Sequence, residues 1–343
     1  MRFSLGMASL LLVFLIVTVL AAGTGAVAIP AHEVLSILFR HLGWTHAAPY
    51  WPPTHDIILF DIRLPRVLGA GLVGAALSVA GTLFQGLLRN PMADPFVIGT
   101  SGGAALGGTL GVLLAARISV LGFGAVPALA FLGALITMVA VYRLSRIGGR
   151  TPVVTLLLAG FAMSVILSYA MSLLLILNDR VVTARVVYAW LLGGIAVTNW
   201  SQVTAIAVLV LLGTSLSLIL GRSLNALALG DETAQQLGVA VERNRAVIIL
   251  LGSILTAAAV AGGGMIGFVG LIVPHVLRLL FGPNHSYLLP LSALGGASFL
   301  VFADLLARVA IPPTELPVGI LTAFIGGPAF LVLLRRTKRE YRF

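Results

Sequence analysis

With six histidines, eleven carboxylates and no cysteine, this chain carries few side chains able to do chemistry, and their spacing narrows the field. Without Cys there is no disulfide framework, thiolate zinc site, iron–sulfur cluster or thiol nucleophile. Four histidines (His32, His41, His46 and His55) fall in a wet segment at 30–61 with Arg40, Trp44, Trp51 and Asp56. Zinc-binding pairs on a helix stand at i,i+4 with a carboxylate partner. These do not, so a solvated loop is expected rather than a metal site. Gly69-Ala70-Gly71-Leu72-Val73-Gly74 has dinucleotide-fingerprint spacing but lies inside an apolar run, where no strand precedes a helix. Close helix packing explains it better. A Walker A loop needs Gly-Lys-Ser/Thr, and the one lysine, Lys338, has no such context. No nucleophile–base pair falls in the apolar runs, so the chain is not expected to be an enzyme.

A proton-driven carrier needs buried carboxylates or histidines as relays, yet nearly all acidic residues fall in polar stretches or at the ends of apolar ones. Asp304 is the exception, and Arg308 one turn later suits it as a partner or as a snorkelling neighbour. Ser164, Ser168 and Ser172 follow at i, i+4 and i+8 in an uncharged run, giving one mildly polar helix face. It serves either interhelical hydrogen bonds of about 0.6–2 kcal/mol each or a smooth, neutral wall for a bulky solute. A transporter with neither a motor nor a coupling-ion site would draw its energy from a partner.

The elements that must hold these residues are membrane helices. Residues of the AVILMFWYC set make up 59% of the 343 residues and charged residues only 9%, against about 25% charged in soluble domains. At roughly 20 residues per crossing, the length allows about ten spans. Hydropathy places them near 5–29, 64–88, 96–115, 122–142, 152–177, 202–220, 246–262, 265–281, 287–310 and 316–334. The first stretch is long for a signal peptide's apolar region, so Ala26-Val27-Ala28 is not expected to be a cleavage site. Gly99, Gly103, Gly107 and Gly111 recur every four residues on the third span, a close-packing device. A short outer segment is expected at 178–200. The longest internal polar stretch, 221–245, is cut by Gly230 and Gly238 into two short helical pieces. Asp231 and Glu232 open the second, where they complement its dipole.

The net charge of +10 reads as positive-inside loops, not nucleic-acid binding, because the arginines stand singly between apolar runs. With both termini in the cytoplasm, fourteen basic residues fall inside: Arg2, Arg89, Arg143, Arg146, Arg150, Arg222, Arg243, Arg245, Arg278 and five in the tail. Seven fall outside: Arg40, Arg63, Arg66, Arg117, Arg180, Arg185 and Arg308. Two to one is the expected bias.

Ordered motifs then resemble a known family over nearly the whole chain. They are Arg63-Leu64-Pro65-Arg66, Gly74-Ala75-Ala76-Leu77 with Gly81 and Gln85, and Arg89-Asn90-Pro91-Met92-Ala93-Asp94-Pro95. Leu157-Leu158-Ala159-Gly160, Leu229-Gly230 with Ala234 and Leu237-Gly238, Gly267-Phe268-Val269-Gly270-Leu271 with Pro274-His275 and Arg278, and Glu315-Leu316-Pro317-Val318-Gly319 complete the set. The chain resembles the FecCD-like permease subunits of type II ABC importers, which take up ferric siderophores, haem and cobalamin. The resemblance implies an all-α polytopic membrane fold of about ten transmembrane helices, a single permease domain over 1–343 in the inner (cytoplasmic) membrane. It implies a homodimer in membrane lipid, two ATP-binding subunits that hold the ATP and Mg, a soluble periplasmic or lipid-anchored binding protein, and no cofactor in this chain. ATPase docking would fall to Leu224, Leu227, Leu229, Gly230, Asp231, Ala234, Leu237 and Gly238. Arg63, Arg66 and Arg308 would meet carboxylates of the binding protein. Asn90, Met92, Val153 and Val154 would form the gate, with valines where some relatives carry hydroxyls, and the span of Ser164, Ser168 and Ser172 would line the pathway. Iron chelate is the expected cargo, with cobalamin as alternative and an ion-coupled carrier as the competing class.

Overall fold

The computed structural model describes residues 2–45, 50–114, 119–178, 181–311 and 313–337. His46, Arg117, Arg180, Lys338, Arg339 and Arg342, all weighed above, lie outside the described residues. Helices dominate because only a helix or a closed barrel satisfies its backbone groups without water. In chain order they are α1 (Arg2–Gly23), α2 (Ala31–His41), α3 (Pro53–Ile57), α4 (Leu64–Leu87), α5 (Thr100–Leu113), α6 (Ala125–Leu144), α7 (Val153–Asn178) and α8 (Val181–Leu191). Then come α9 (Trp200–Ile219), α10 (Gly221–Ala228), α11 (Asp231–Gln236), α12 (Val241–Gly263), α13 (Val269–Phe281), α14 (His285–Val309) and α15 (Val318–Thr337). Among the described residues, seven helical segments are long and apolar enough to cross a membrane, while α13 and the apolar part of α15 are shorter. The ten places assigned by hydropathy are held by α1, α4, α5, α6, α7, α9, α12, α13, α14 and α15.

The centre of the bundle is α4, 83% buried over its most apolar window. It tolerates such crowding because its glycines replace side chains with backbone contact. A methyl group on Gly74 would overlap the carbonyl of Gly296 on α14, and one on Gly81 the carbonyl of Gly270 on α13. Gly69 faces Val197 and Gly71 faces Phe14, so the fingerprint-like glycines serve packing. Gly103, Gly107 and Gly111 likewise seat α5 on α6, against Gly133, Leu129 and Val126. Gly99 departs from that series: it caps α5 at φ 87° after the 3-10 turn Pro95–Ile98.

Three readings need correction. The 30–61 segment is not a loop. Its described residues fold largely as α2, α3 and a π-helical turn (Ile58–Arg63) running into α4. Val34, Ile37, Trp51 and Leu59 pack with Ala22, Ile29 and Leu64 in a buried cluster. Its polar faces carry the partners denied to its histidines: His55 Nδ1 lies 2.7 Å from Glu33 Oε2 and His41 Nδ1 3.7 Å from Asp56 Oδ1. Among the described residues no three His, Asp or Glu side chains could hold a metal ion. The outer segment at 178–200 contains α8, whose Trp190 ring lies over Gly108 of α5. Finally, α12 begins at Val241, so Glu242, Arg243 and Arg245 belong to a helix and not to the polar connection.

Candidate functional site

The two ends of the bundle differ in kind. One end gathers the polar connections between α4 and α5, between α6 and α7, and between α9 and α12. Amphipathic α10 buries Leu224 and Leu227, with Leu224 against Gly86 of α4. Gly230 (φ 116°) and Gly238 (φ 80°) supply the left-handed backbone that breaks and ends the pair. Between them α11 starts on Asp231 and Glu232 and buries Ala234. Leu229 and Leu237 remain 66% and 62% exposed. The eight expected docking residues therefore divide: Leu224, Leu227 and Ala234 anchor the pair inward, the glycines turn it, and two leucines point away from this chain.

Asp231 has another task. Its carboxylate pairs with Arg89, at the end of α4, and with Arg245 Nη2 of α12 at 2.8 Å. Burial alone would raise its pKa, but Arg245 and Arg89 outweigh that and hold it below the ordinary carboxylate range. Arg89 Nε also donates to the Leu227 carbonyl at 2.8 Å. Beside Leu229 a cleft of about 550 Å³ opens, bordered by Arg89, Arg278, Asn225 and His285.

The expected gate residues lie at the same end. Asn90 Oδ1 accepts from the Met92 N–H at 2.9 Å, and Asp94 caps the 3-10 turn by accepting from Phe96 N–H at 2.9 Å. Burial pushes the Asp94 carboxyl up to about 6. Val153 and Val154 open α7, Val153 half-buried and Val154 exposed. Along α7 only Leu156 and Gly160 are buried, and its most apolar window is 11% buried. Ser164 is half-buried beside Gly102, whereas Ser168 and Ser172 are exposed and the Ser172 hydroxyl donates to the Ser168 carbonyl at 3.0 Å.

At the opposite end the three expected docking arginines do converge, around α1. Arg63 is buried, at 7% exposure, and donates to the carbonyls of Ala22 (2.9 Å), Gly23 (3.0 Å) and Val27 (2.5 Å). It thereby satisfies acceptors orphaned at the end of α1. Arg308 donates to Ala21 and Thr24 carbonyls (2.9 and 3.2 Å) and lies 3.1 Å from Asp304. Arg66 bridges buried Asp304 (3.0 Å) and exposed Glu315 (2.7 Å). The sequence paired Asp304 with Arg308 through i,i+4 spacing; Arg66 and Glu315, on distant segments, gave no such signal.

Comparison with known proteins decides what this arrangement is. The sequence matches the FecCD transport family over residues 11–336. The chain belongs to that family. FecCD-type relatives include the uncharacterized ABC transporter permease protein YvrB of Bacillus subtilis (strain 168), 44% identical over 94% of this chain and 91% of YvrB. The cobalamin import system permease protein BtuC of Halobacterium salinarum is 42% identical over 95% of this chain and 88% of its own. Other relatives are named for hemin, Fe(3+) dicitrate and molybdate transport. A solved ABC transporter described as metal-chelate type, inward-facing, superposes with a TM-score of 0.82 at 33% identity, covering 96% of this chain and 98% of that one. The molecule is thus a multi-pass membrane permease of the ABC importer class, built as the residue motifs implied. An ABC transporter permease implies an ATPase and a substrate-binding partner, and ATP hydrolysis is not the work of the permease family.

Proposed function

We propose that this chain translocates an iron chelate, a ferric siderophore or haem, across the cytoplasmic membrane as one half of a homodimeric permease with both termini in the cytoplasm. The observation that carries this is α7, a 26-residue helix without a charge that buries only Leu156 and Gly160 in its own chain. A second copy set against it encloses a neutral wall, and a neutral wall lets a bulky chelate pass without binding it. A small oxyanion such as molybdate would need cationic or N–H donors along the path, and α7 carries no cation and no side-chain N–H short of Asn178 at its last position.

Power comes from two ATP-binding subunits seated on Leu229 and Leu237. Their apolar exposure on an otherwise self-satisfied helix pair suits the core of a protein interface, and the cationic cleft beside them suits its polar rim. ATP and Mg reside on those subunits, and this chain carries no cofactor. At the other end, partly exposed Arg66 faces the delivery side, with Arg63 and Arg308 bracing the end of α1 behind it, and a carboxylate of a periplasmic or lipid-anchored binding protein meets it there. Such pairs orient the encounter more than they tighten it. Cobalamin is the second reading, favoured by the 42% identity to a relative named for cobalamin import.

Tryptophan quenching of the binding protein from the same gene cluster tests the cargo: haem or a ferric siderophore should quench and cobalamin should not. Uptake by vesicles holding this chain alone, driven by an ion gradient, would overturn the ATP-driven reading altogether.

A further inference from the structure

The docking pair and the pathway helix are joined by an unbroken polar chain. It starts on Asp231, the first residue of α11, whose carboxylate holds Arg245 Nη2 at 2.8 Å. Arg245 lies one turn inside α12 at 5% exposure, and its Nη1 reaches Glu242 Oε1 at 2.5 Å. The other oxygen of Glu242 accepts the backbone N–H of Thr151 at 3.0 Å. Thr151 is 1% exposed and stands two residues before α7 begins, next to Pro152 and the expected gate valines. Arg89 closes the loop by joining Asp231 and the Leu227 carbonyl to the end of α4.

We infer that Glu242 and Arg245 are positioning residues that transmit displacement of α10 and α11 to the head of α7. The inference rests on the docking and gate assignments proposed above. Apart from this network, α7 packs chiefly on α5, α6, α8 and the 3-10 turn, none of which belongs to the docking pair. A shift of the docking helices therefore reaches α7 through a buried guanidinium gripped by two carboxylates. Buried charged groups hold such geometry stiffly, because leaving one unpaired is costly. The bond to Thr151 is to a main-chain N–H, so the pull acts on the backbone that leads into α7 and not on a rotatable side chain. Proline at 152 cannot offer an N–H of its own, which leaves Thr151 as the donor at this point of the chain.

The absence of native cysteine gives the test a clean background. In the complete importer with its ATPase and binding protein, Leu158→Cys reports on exposed α7 and Gln236→Cys on exposed α11. Modification by an impermeant maleimide is timed without nucleotide and with ATP trapped by vanadate. Both thiols should change rate between the two states, by about fivefold or more. Glu242→Ala should abolish the change at Leu158→Cys while that at Gln236→Cys persists and hydrolysis continues. Glu242→Gln, which keeps an oxygen for Thr151 but loses the negative charge that holds Arg245, should fall between and covers the case where the alanine variant fails to assemble. An undiminished response at Leu158→Cys in either variant, or none in the unaltered importer, overturns the relay. Failure of the unaltered chain to co-purify with the ATPase, by contrast, refutes the docking assignment itself.

Discussion

Asp304 shows how one residue decides the meaning of several others. It is 1% exposed inside an apolar helix, with Oδ1 facing Arg66 at 3.0 Å and Oδ2 facing Arg308 at 3.1 Å. Removing one partner of a buried ion pair strands the others, at about 3–5 kcal/mol. Asp304→Ala should therefore lower the melting temperature of the purified permease sharply. Glu315→Gln should cost under about 1 kcal/mol, because Glu315 is half exposed. The same geometry changes how the docking arginines should be tested. Reversing Arg63 would unseat the end of α1, so a docking defect in that variant says nothing about the binding protein. Arg66 is the cleaner probe if its donors are kept: Arg66→Gln removes the charge without setting a carboxylate against buried Asp304, and its effect on capture should shrink as salt rises. Asp94 yields a pH prediction. Its carboxyl titrates at about 6 when folded against about 3.9 unfolded. A raised acid favours its protonated form in the fold, so this contribution is fully present below pH ~4 and lost as pH climbs through 6. Asp94→Asn keeps a capping oxygen and should flatten the fall in melting temperature between pH 5 and 7.5. An unchanged slope refutes the assignment. None of these partners was legible in sequence except Arg308, because i,i+4 spacing is the one register that composition reveals without a fold.

At the scale of elements, long uncharged runs were legible because the bilayer demands them, and α4, α6, α7, α9 and α14 stand within a few residues of where hydropathy set them. The short ones were harder. α2 and α8 carry polar residues on one face, and a segment that is half wet reads as loop until its apolar face meets a neighbour such as Trp51 or Gly108. The short helix pair α10 and α11 was legible in outline from two glycines and an acidic start, but which side chains it keeps for itself was not. That division is testable. Leu229→Asp with Leu237→Asp should abolish co-purification with the ATPase and leave the melting temperature of the permease alone nearly unchanged, because both leucines are exposed. Leu224→Asp places a charge at a fully buried site and should lower that melting temperature by several degrees whether or not the ATPase is present. If the exposed pair also unfolds the permease, those leucines are structural and the docking surface lies elsewhere.

On the scale of the whole molecule, exposed apolar surface by itself says little, since lipid covers it without penalty. What singles out α7 among the long apolar helices is that it is the barest of them, 11% buried over its most apolar window, while carrying hydroxyls on its exposed face. Ser168, Tyr169 and Ser172 are exposed on a helix with no charge, and the Ser172 hydroxyl must turn back to its own backbone for a partner. α1 is exposed too, with Leu11, Leu12, Val13, Leu15, Ile16 and Leu20 along its middle and far end and its exposed serines, Ser4 and Ser9, confined to its start, and it packs on α14 and α4, away from α5 and α6 where α7 sits. The two helices thus present different surfaces to different surroundings, one suited to acyl chains and one to a twin around a hydrated path. With no native thiol to confuse the result, Ser168→Cys in membranes should give a cross-linked dimer with a short bismaleimide, and Leu12→Cys on α1 should stay monomeric. Cross-linking at Leu12 alone would place the twin on the other side of the bundle. The neutral wall of α7 would then face lipid, and the pathway would have to be sought along other helices.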